Sequence, residues 1–197
     1  MNVPNLLTVG RLFITALFLA AIALAGHMPF AMSAAFLLFI IASITDYLDG
    51  HLARNVYGVT SFGRLMDPLA DKVMVCAAFV SFTELGLVPA YIVVIIVARE
   101  FLVTGLRLLA IEKGLLISAG RWGKHKTIWQ IVAIIVILLG LAVRHDVPSK
   151  VDPDGWVIFD TAFQYLSLGI AIAVAIITVI SGYLYFAENR QVLSRHL

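Results

Sequence analysis

Residues 46–71 read DYLDGHLARNVYGVTSFGRLMDPLAD. Four aspartates stand here, Asp46, Asp49, Asp67 and Asp71, between segments that are otherwise apolar. Asp46 and Asp49 are spaced i, i+3, and Asp67 and Asp71 are spaced i, i+4, so each pair lies on one face of a helix. The connection over 55–62 contains Gly58 and is short, which predicts two antiparallel neighbouring helices with their carboxylates converging at one end. Gly50 and Ala53 continue the first acidic face. Gly63 precedes Asp67 by one turn, and Ala70 stands beside Asp71. Small residues at these positions leave room for a ligand.

Four ionised carboxylates repel one another, and a charged side chain deep in a bilayer costs about 2.5–3.5 kcal/mol on insertion scales. Hard divalent cations offset both effects, and an oxygen-only donor set suits Mg²⁺, Mn²⁺ or Ca²⁺. The stretch holds no cysteine and only His51, which argues against zinc. Arg54 stands ready for a ligand's negative charge. Metals with an arginine point to phosphate chemistry. One aspartate in a helix's first turn needs no function to explain it, but four at these spacings, with glycines on the same faces, form a candidate site.

The whole chain sets the surroundings of that site. Hydrophobic residues make up 61% of its 197 residues and charged residues only 13%; mean hydropathy is +1.00. A soluble domain is usually about a quarter charged, so this surface is expected to face lipid. A net charge of +2 is too small for a nucleic-acid binder. Cys76, the only cysteine, excludes an internal disulfide and reads as a small buried hydrophobe. The start, MNVPNLLTVGRLF, has no basic region before its apolar run, so no removable signal peptide is expected.

Apolar runs near 7–26, 31–50, 66–85, 88–110, 126–143 and 163–186 are long enough to span a bilayer. The predicted fold class is therefore all-α: a single membrane-embedded domain over 1–197 with six transmembrane helices. Of the 14 Lys and Arg residues, only Arg144 and Lys150 fall on the side away from the termini. Both termini and the acidic stretch are thus expected in the cytosol. Residues 144–162, with Pro148, Pro153, Asp154 and Gly155, read as an external turn-rich connection with Trp156 as an interfacial anchor. Glu84 and the acids of 146–160 read as loop residues. No internal repeat is evident, which disfavours an inverted-repeat transporter.

Asp46-x-x-Asp49-Gly50-x-x-Ala53-Arg54, eight residues, then Gly63-x-x-x-Asp67-x-x-x-Asp71 resembles the full signature of the CDP-alcohol phosphatidyltransferase family. The resemblance implies a six-helix membrane enzyme, commonly a homodimer, with a polar cavity open to the cytosol of a bacterial cell. It implies that Asp46, Asp49, Asp67 and Asp71 hold two divalent cations, Mg²⁺ or Mn²⁺, on the pyrophosphate of a CDP-linked donor. Asp71 is also the implied general base. Gly50, Ala53, Arg54, Thr60 and Gly63 are implied to lie against the CDP part, as are Pro4, Asn5 and Thr8 of a weaker N-terminal element. Read alone, that element is a helix start.

The acceptor is sought among other basic residues. Arg99 and Arg107 lie in an apolar segment, where a charge needs a partner or a ligand, and Glu100 is a candidate partner. Arg121, Lys124 and Lys126 follow in GRWGKHKT. These five form the candidate acceptor-phosphate pocket, although the two lysines also fit an ordinary cytosolic loop. VPNLLT, AREF and GKHKT most resemble the bacterial family members whose acceptor is sn-glycerol 3-phosphate. The implied reaction joins CDP-diacylglycerol and glycerol 3-phosphate, giving phosphatidylglycerophosphate and CMP. Inositol phosphate, serine and phosphatidylglycerol remain alternative acceptors. A divalent-cation transporter remains a different class, disfavoured because intramembrane acids are confined to one half.

Overall fold

Long apolar runs with few helix breakers leave the backbone one way to satisfy its own hydrogen bonds away from water, the α-helix. The computed structural model describes the backbone of residues 3–55, 61–112, 121–146 and 153–196, and the side chains of 9–45, 69, 70, 72–111, 126–146 and 155–190. Among these residues the chain forms six α-helices and no strand: α1 (Val3–Ala23), α2 (Ala31–Asn55), α3 (Ser61–Glu84), α4 (Ala90–Glu112), α5 (Arg121–Asp146) and α6 (Pro153–His196). Each expected apolar run falls on one of them. Lys126–Asp146 and Gly155–Arg190 are long and apolar enough to cross a membrane. Outward faces are apolar too, with Phe13, Leu37, Val94, Leu139 and Ile158 all exposed. So many exposed large apolar side chains suit lipid rather than water.

The α3–α4 turn follows its sequence closely. The Gly86 N–H donates to the Thr83 carbonyl at 3.0 Å and the Leu87 N–H to the Phe82 carbonyl at 3.0 Å. This pair of bonds closes the helix in a Schellman motif, whose penultimate residue needs the left-handed backbone that glycine adopts freely. Gly86 has φ 73° there. Pro89 then stands immediately before α4.

One expectation is corrected. The region 144–162 is mostly helix: α5 runs through Arg144 to Asp146, and α6 begins at Pro153, so Asp154, Gly155 and Trp156 are helical. Proline has no N–H to lose and a preset φ at a first helical position, so Pro153 starts a helix here. The acids also differ from the loop reading. Glu84 ends α3, Asp146 ends α5, and Asp160 lies inside α6. The expected pairing of α2 with α3 turns on the residues around their connection, which lie outside the described residues. Among the described residues, both helices pack on α1 and on α5. Cys76 is half-buried.

The packing closes into a circuit. α1 meets α2 and α3, α2 meets α5, α5 meets α6, α6 meets α4, and α4 meets α3. α3 and α5 also touch across the middle. Phe18 of α1 and Phe39 of α2 lie 6.1 Å apart in the core, and Phe79 and Phe82 of α3 meet edge-on at 6.0 Å.

One end of the bundle is tied by polar contacts. The Ser33 N–H, in the first turn of α2, donates to Asp146 Oδ2 of α5 at 2.8 Å. Arg144 Nη2 donates to Asp160 Oδ2 of α6 at 2.9 Å, and its guanidinium lies 5.3 Å from the Trp156 ring centre. Asp46 follows Ser33 by 13 residues of α2, about 20 Å along the axis. The aspartates therefore belong to the opposite end.

Phe163 of α6 lies directly over Gly140 of α5. A Cβ at 140 would fall 2.1 Å from Phe163 Cε2, a separation that requires the ring to move. Gly140→Ala is expected to destabilise the protein by about 1–3 kcal/mol, the usual cost of overpacking. Adding Phe163→Leu should recover much of that loss in thermal unfolding in detergent. Additive losses would contradict the contact.

Candidate active site

The backbone places all four aspartates on helix. Asp46 and Asp49 lie in the C-terminal turns of α2, and Asp67 and Asp71 lie in roughly the first three turns of α3. Gly50, Ala53 and Arg54 continue α2, Gly63 lies in α3, Pro4, Asn5 and Thr8 lie in α1, and Arg121 and Lys124 lie in α5. The side chains of these residues, and Thr60 altogether, lie outside the described residues. The i, i+3 and i, i+4 spacings thus act on true helices. Among the described residues, no three His, Cys, Asp or Glu side chains form a metal site.

The same end of the bundle holds a cavity of about 150 Å³. Among the described residues, every helix except α6 contributes to its wall. Arg11 comes from α1, Ser43 from α2, Lys72 from α3, Glu100 from α4, and Thr127 and Gln130 from α5, with Phe39 and Met74 among its apolar parts. Ser43 precedes Asp46 by three residues and Lys72 directly follows Asp71. The cavity therefore opens beside the acidic helix segments. Its size suits a small polar molecule, on the order of five water volumes.

Glu100 is the centre of the polar wall and is only 3% exposed. Its Oε2 lies 3.2 Å from Lys72 Nζ. Its Oε1 pairs with Lys126 Nζ, lies 3.6 Å from Arg99 Nη1, and accepts from Gln130 Nε2 at 3.2 Å. Burying a carboxylate without partners costs far more than pairing it, so three helices supply cations or donors. Glu100 was expected as a partner for a neighbouring charge; it serves three. Three cations against one carboxylate leave this cluster positive.

The expected acceptor residues separate. Lys126 is buried, 3% exposed, behind the cavity wall against Glu100. Arg99 turns to α6, where Nη2 donates to Ser181 Oγ at 2.9 Å. It lies across Gly182, where a Cβ would come within 3.2 Å of Arg99 Cγ. Arg107, two turns further along α4, is exposed. Spacing of eight puts Arg99 and Arg107 on one face, and among the described residues Arg99 bonds a neighbouring helix, α6. Sequence reasoning missed Lys72, Arg11, Ser43, Thr127 and Gln130 as lining residues. Lys72 had a signal, its place directly after Asp71. So did Gln130, which lies one turn after Lys126.

A profile of CDP-alcohol phosphatidyltransferases matches residues 1–184. The chain belongs to the CDP-alcohol phosphatidyltransferase family. Among curated members of the family, the CDP-diacylglycerol–glycerol-3-phosphate 3-phosphatidyltransferase of Bacillus subtilis is 37% identical over 203 residues, covering 98% of this chain and 97% of its own. The Rickettsia felis protein of the same name is 36% identical over 186 residues, covering 94% and 93%. A probable phosphatidylglycerophosphate synthase of Mycobacterium tuberculosis is 42% identical over 142 residues, covering 72% of this chain and 68% of its own.

In this family member, Glu100→Leu would leave three cations around an apolar side chain. It is expected to destabilise the protein by about 3–5 kcal/mol, as when one partner of a buried ion pair is removed. Glu100→Leu with Lys126→Met should regain part of that loss in detergent unfolding. A stability unchanged by Glu100→Leu would contradict the buried cluster.

Proposed function

We propose that this chain transfers the phosphatidyl group of CDP-diacylglycerol to sn-glycerol 3-phosphate, giving phosphatidylglycerophosphate and CMP in bacterial phospholipid synthesis. It does so as a six-span enzyme of the cell membrane with both termini and the active site on the cytosolic side. The named relatives, matched along nearly their whole length, support this reaction. The homodimer rests on the family resemblance.

One observation carries the choice of acceptor. The cavity beside the aspartate-bearing helices is walled by two cations, Arg11 and Lys72, and one carboxylate, Glu100, whose charge Lys126 and Arg99 also meet from outside the wall. A phosphate monoester, with a second pKa near about 6, is largely dianionic at neutral pH and suits such a wall. A zwitterionic acceptor such as serine would not use the excess.

Asp46, Asp49, Asp67 and Asp71 would hold two Mg²⁺ or Mn²⁺ ions, which supply charge neutralisation on the donor pyrophosphate. Gly50, Ala53, Arg54, Thr60 and Gly63, with Pro4, Asn5 and Thr8, would hold the CDP part. The free hydroxyl of glycerol 3-phosphate attacks the β-phosphorus of the donor. A new P–O bond forms, the bond to the CMP oxygen breaks, and CMP leaves. The hydroxyl proton passes to Asp71. Arg107, Arg121 and Lys124 would supply positive charge for the acceptor phosphate, with Arg99 and Lys126, held by Ser181 and Glu100, adding theirs from behind the wall. Lys72 and Arg11, on the cavity wall, join that set.

Purified protein supplied with CDP-diacylglycerol should release CMP with glycerol 3-phosphate, and a chelator should stop it. CMP release with serine or inositol phosphate, but none with glycerol 3-phosphate, would overturn the acceptor. Asp71→Asn should lower kcat by about 10²–10⁴-fold, the usual contribution of a general base, while the protein still reaches the membrane. Wild-type turnover by Asp71→Asn would remove it as the base.

A further inference from the structure

Glu100 presents a difficulty that the transfer chemistry does not resolve. It places a negative charge on the wall of a cavity assigned to an anionic acceptor. A carboxylate there opposes phosphate binding unless its charge is already used. Both of its oxygens are in fact occupied: Oε2 faces Lys72, and Oε1 faces Lys126, Arg99 and Gln130.

Its partners differ in what they reach. Lys126 is buried behind the wall, and Arg99 is shared with Ser181 of α6. Lys72 lines the cavity, and its side chain is 25% exposed. A lysine ammonium rides on a flexible four-carbon stem with about 2 kcal/mol of rotamer entropy. Left alone, it would sample solvent. Held at 3.2 Å by Glu100, it stays on the wall, one residue along α3 from Asp71. Lys126 and Gln130, both on α5, hold the carboxylate in turn.

We propose that Glu100 is a positioning residue for acceptor binding: anchored by Lys126 and Gln130, it fixes the Lys72 ammonium on the cavity wall, where Lys72 receives the acceptor's phosphate. This rests on the proposed transfer to a phosphate-bearing acceptor. It assigns Lys72 a direct contact and Glu100 an indirect one. Lys72 keeps two donors for the ligand while one is spent on Glu100.

Steady-state kinetics of the full-length protein in detergent test this, with CDP-diacylglycerol and glycerol 3-phosphate varied separately. Lys72→Met is expected to raise the KM for glycerol 3-phosphate about tenfold or more, the loss expected of one hydrogen bond to a charged group. Glu100→Gln should move the same constant in the same direction, with the donor KM within about twofold of wild type. The double variant should be no worse than Lys72→Met alone, because Glu100 acts through Lys72. Equal rises in both KM values, a multiplicative double variant, or an unchanged acceptor KM in Glu100→Gln would overturn the role. Should Glu100→Gln not fold, Gln130→Leu keeps the carboxylate's charge but loosens its anchorage. It should raise the acceptor KM and leave the donor KM alone, and no change in the acceptor KM with either Gln130→Leu or Lys72→Met would overturn the proposal. Wild-type protein inactive with glycerol 3-phosphate would overturn the transfer reading along with this one. An active wild type whose acceptor KM ignores these substitutions overturns only the positioning role.

Discussion

A carboxylate buried among apolar helices must be met by opposite charge, and Glu100 is met from three directions. Lys72 approaches on α3, Arg99 on α4 itself, and Lys126 with Gln130 on α5. Through Arg99 the cluster extends to Ser181 of α6. Helices in lipid gain little from burying apolar surface against one another, because the tails outside are equally apolar. Polar contacts of this kind therefore matter for which helices sit together. In this protein they join the four helices around one end and leave a polar wall facing the cavity.

The opposite end is organised by the same physics with different residues. Asp146 accepts from the first turn of α2, and Arg144 pairs with Asp160. Asp146 and Asp160 are thus engaged in holding helices together. Between the two polar layers the packing is steric, with Phe163 lying in the space that Gly140 leaves. The cavity lies at the candidate-site end, where α1 to α5 all reach its wall and α1 and α5 are shared neighbours of α2 and α3.

The helical placement of the candidate site's residues was legible in the sequence. Helical spacing pairs Asp46 with Asp49 and Asp67 with Asp71, and the family signature runs through the same residues. Gly86 and Pro89 marked the α3–α4 turn by backbone chemistry alone. The start of α6 was less legible: Pro148, Pro153 and Gly155 read as a loop, yet Pro153 opens a helix. Proline punctuates a chain without saying on which side the helix lies. The basic residues were least legible. A lysine can meet a ligand, a carboxylate or solvent, and spacing does not distinguish them. Lys126 and Arg99 meet protein, Arg107 is exposed, and Lys72 reaches the cavity.

By itself the sequence determined the all-helical class, the acidic pairs and the family, because these depend on periodicity, composition and residues close together in the chain. Tertiary structure alone decided that α2 and α3 both pack on α1 and α5, and that Glu100 binds cations from α3 and α5. Those outcomes depend on which helix faces meet. Residues 72, 100 and 126 are far apart in sequence, and only packing brings their charges within reach of one another.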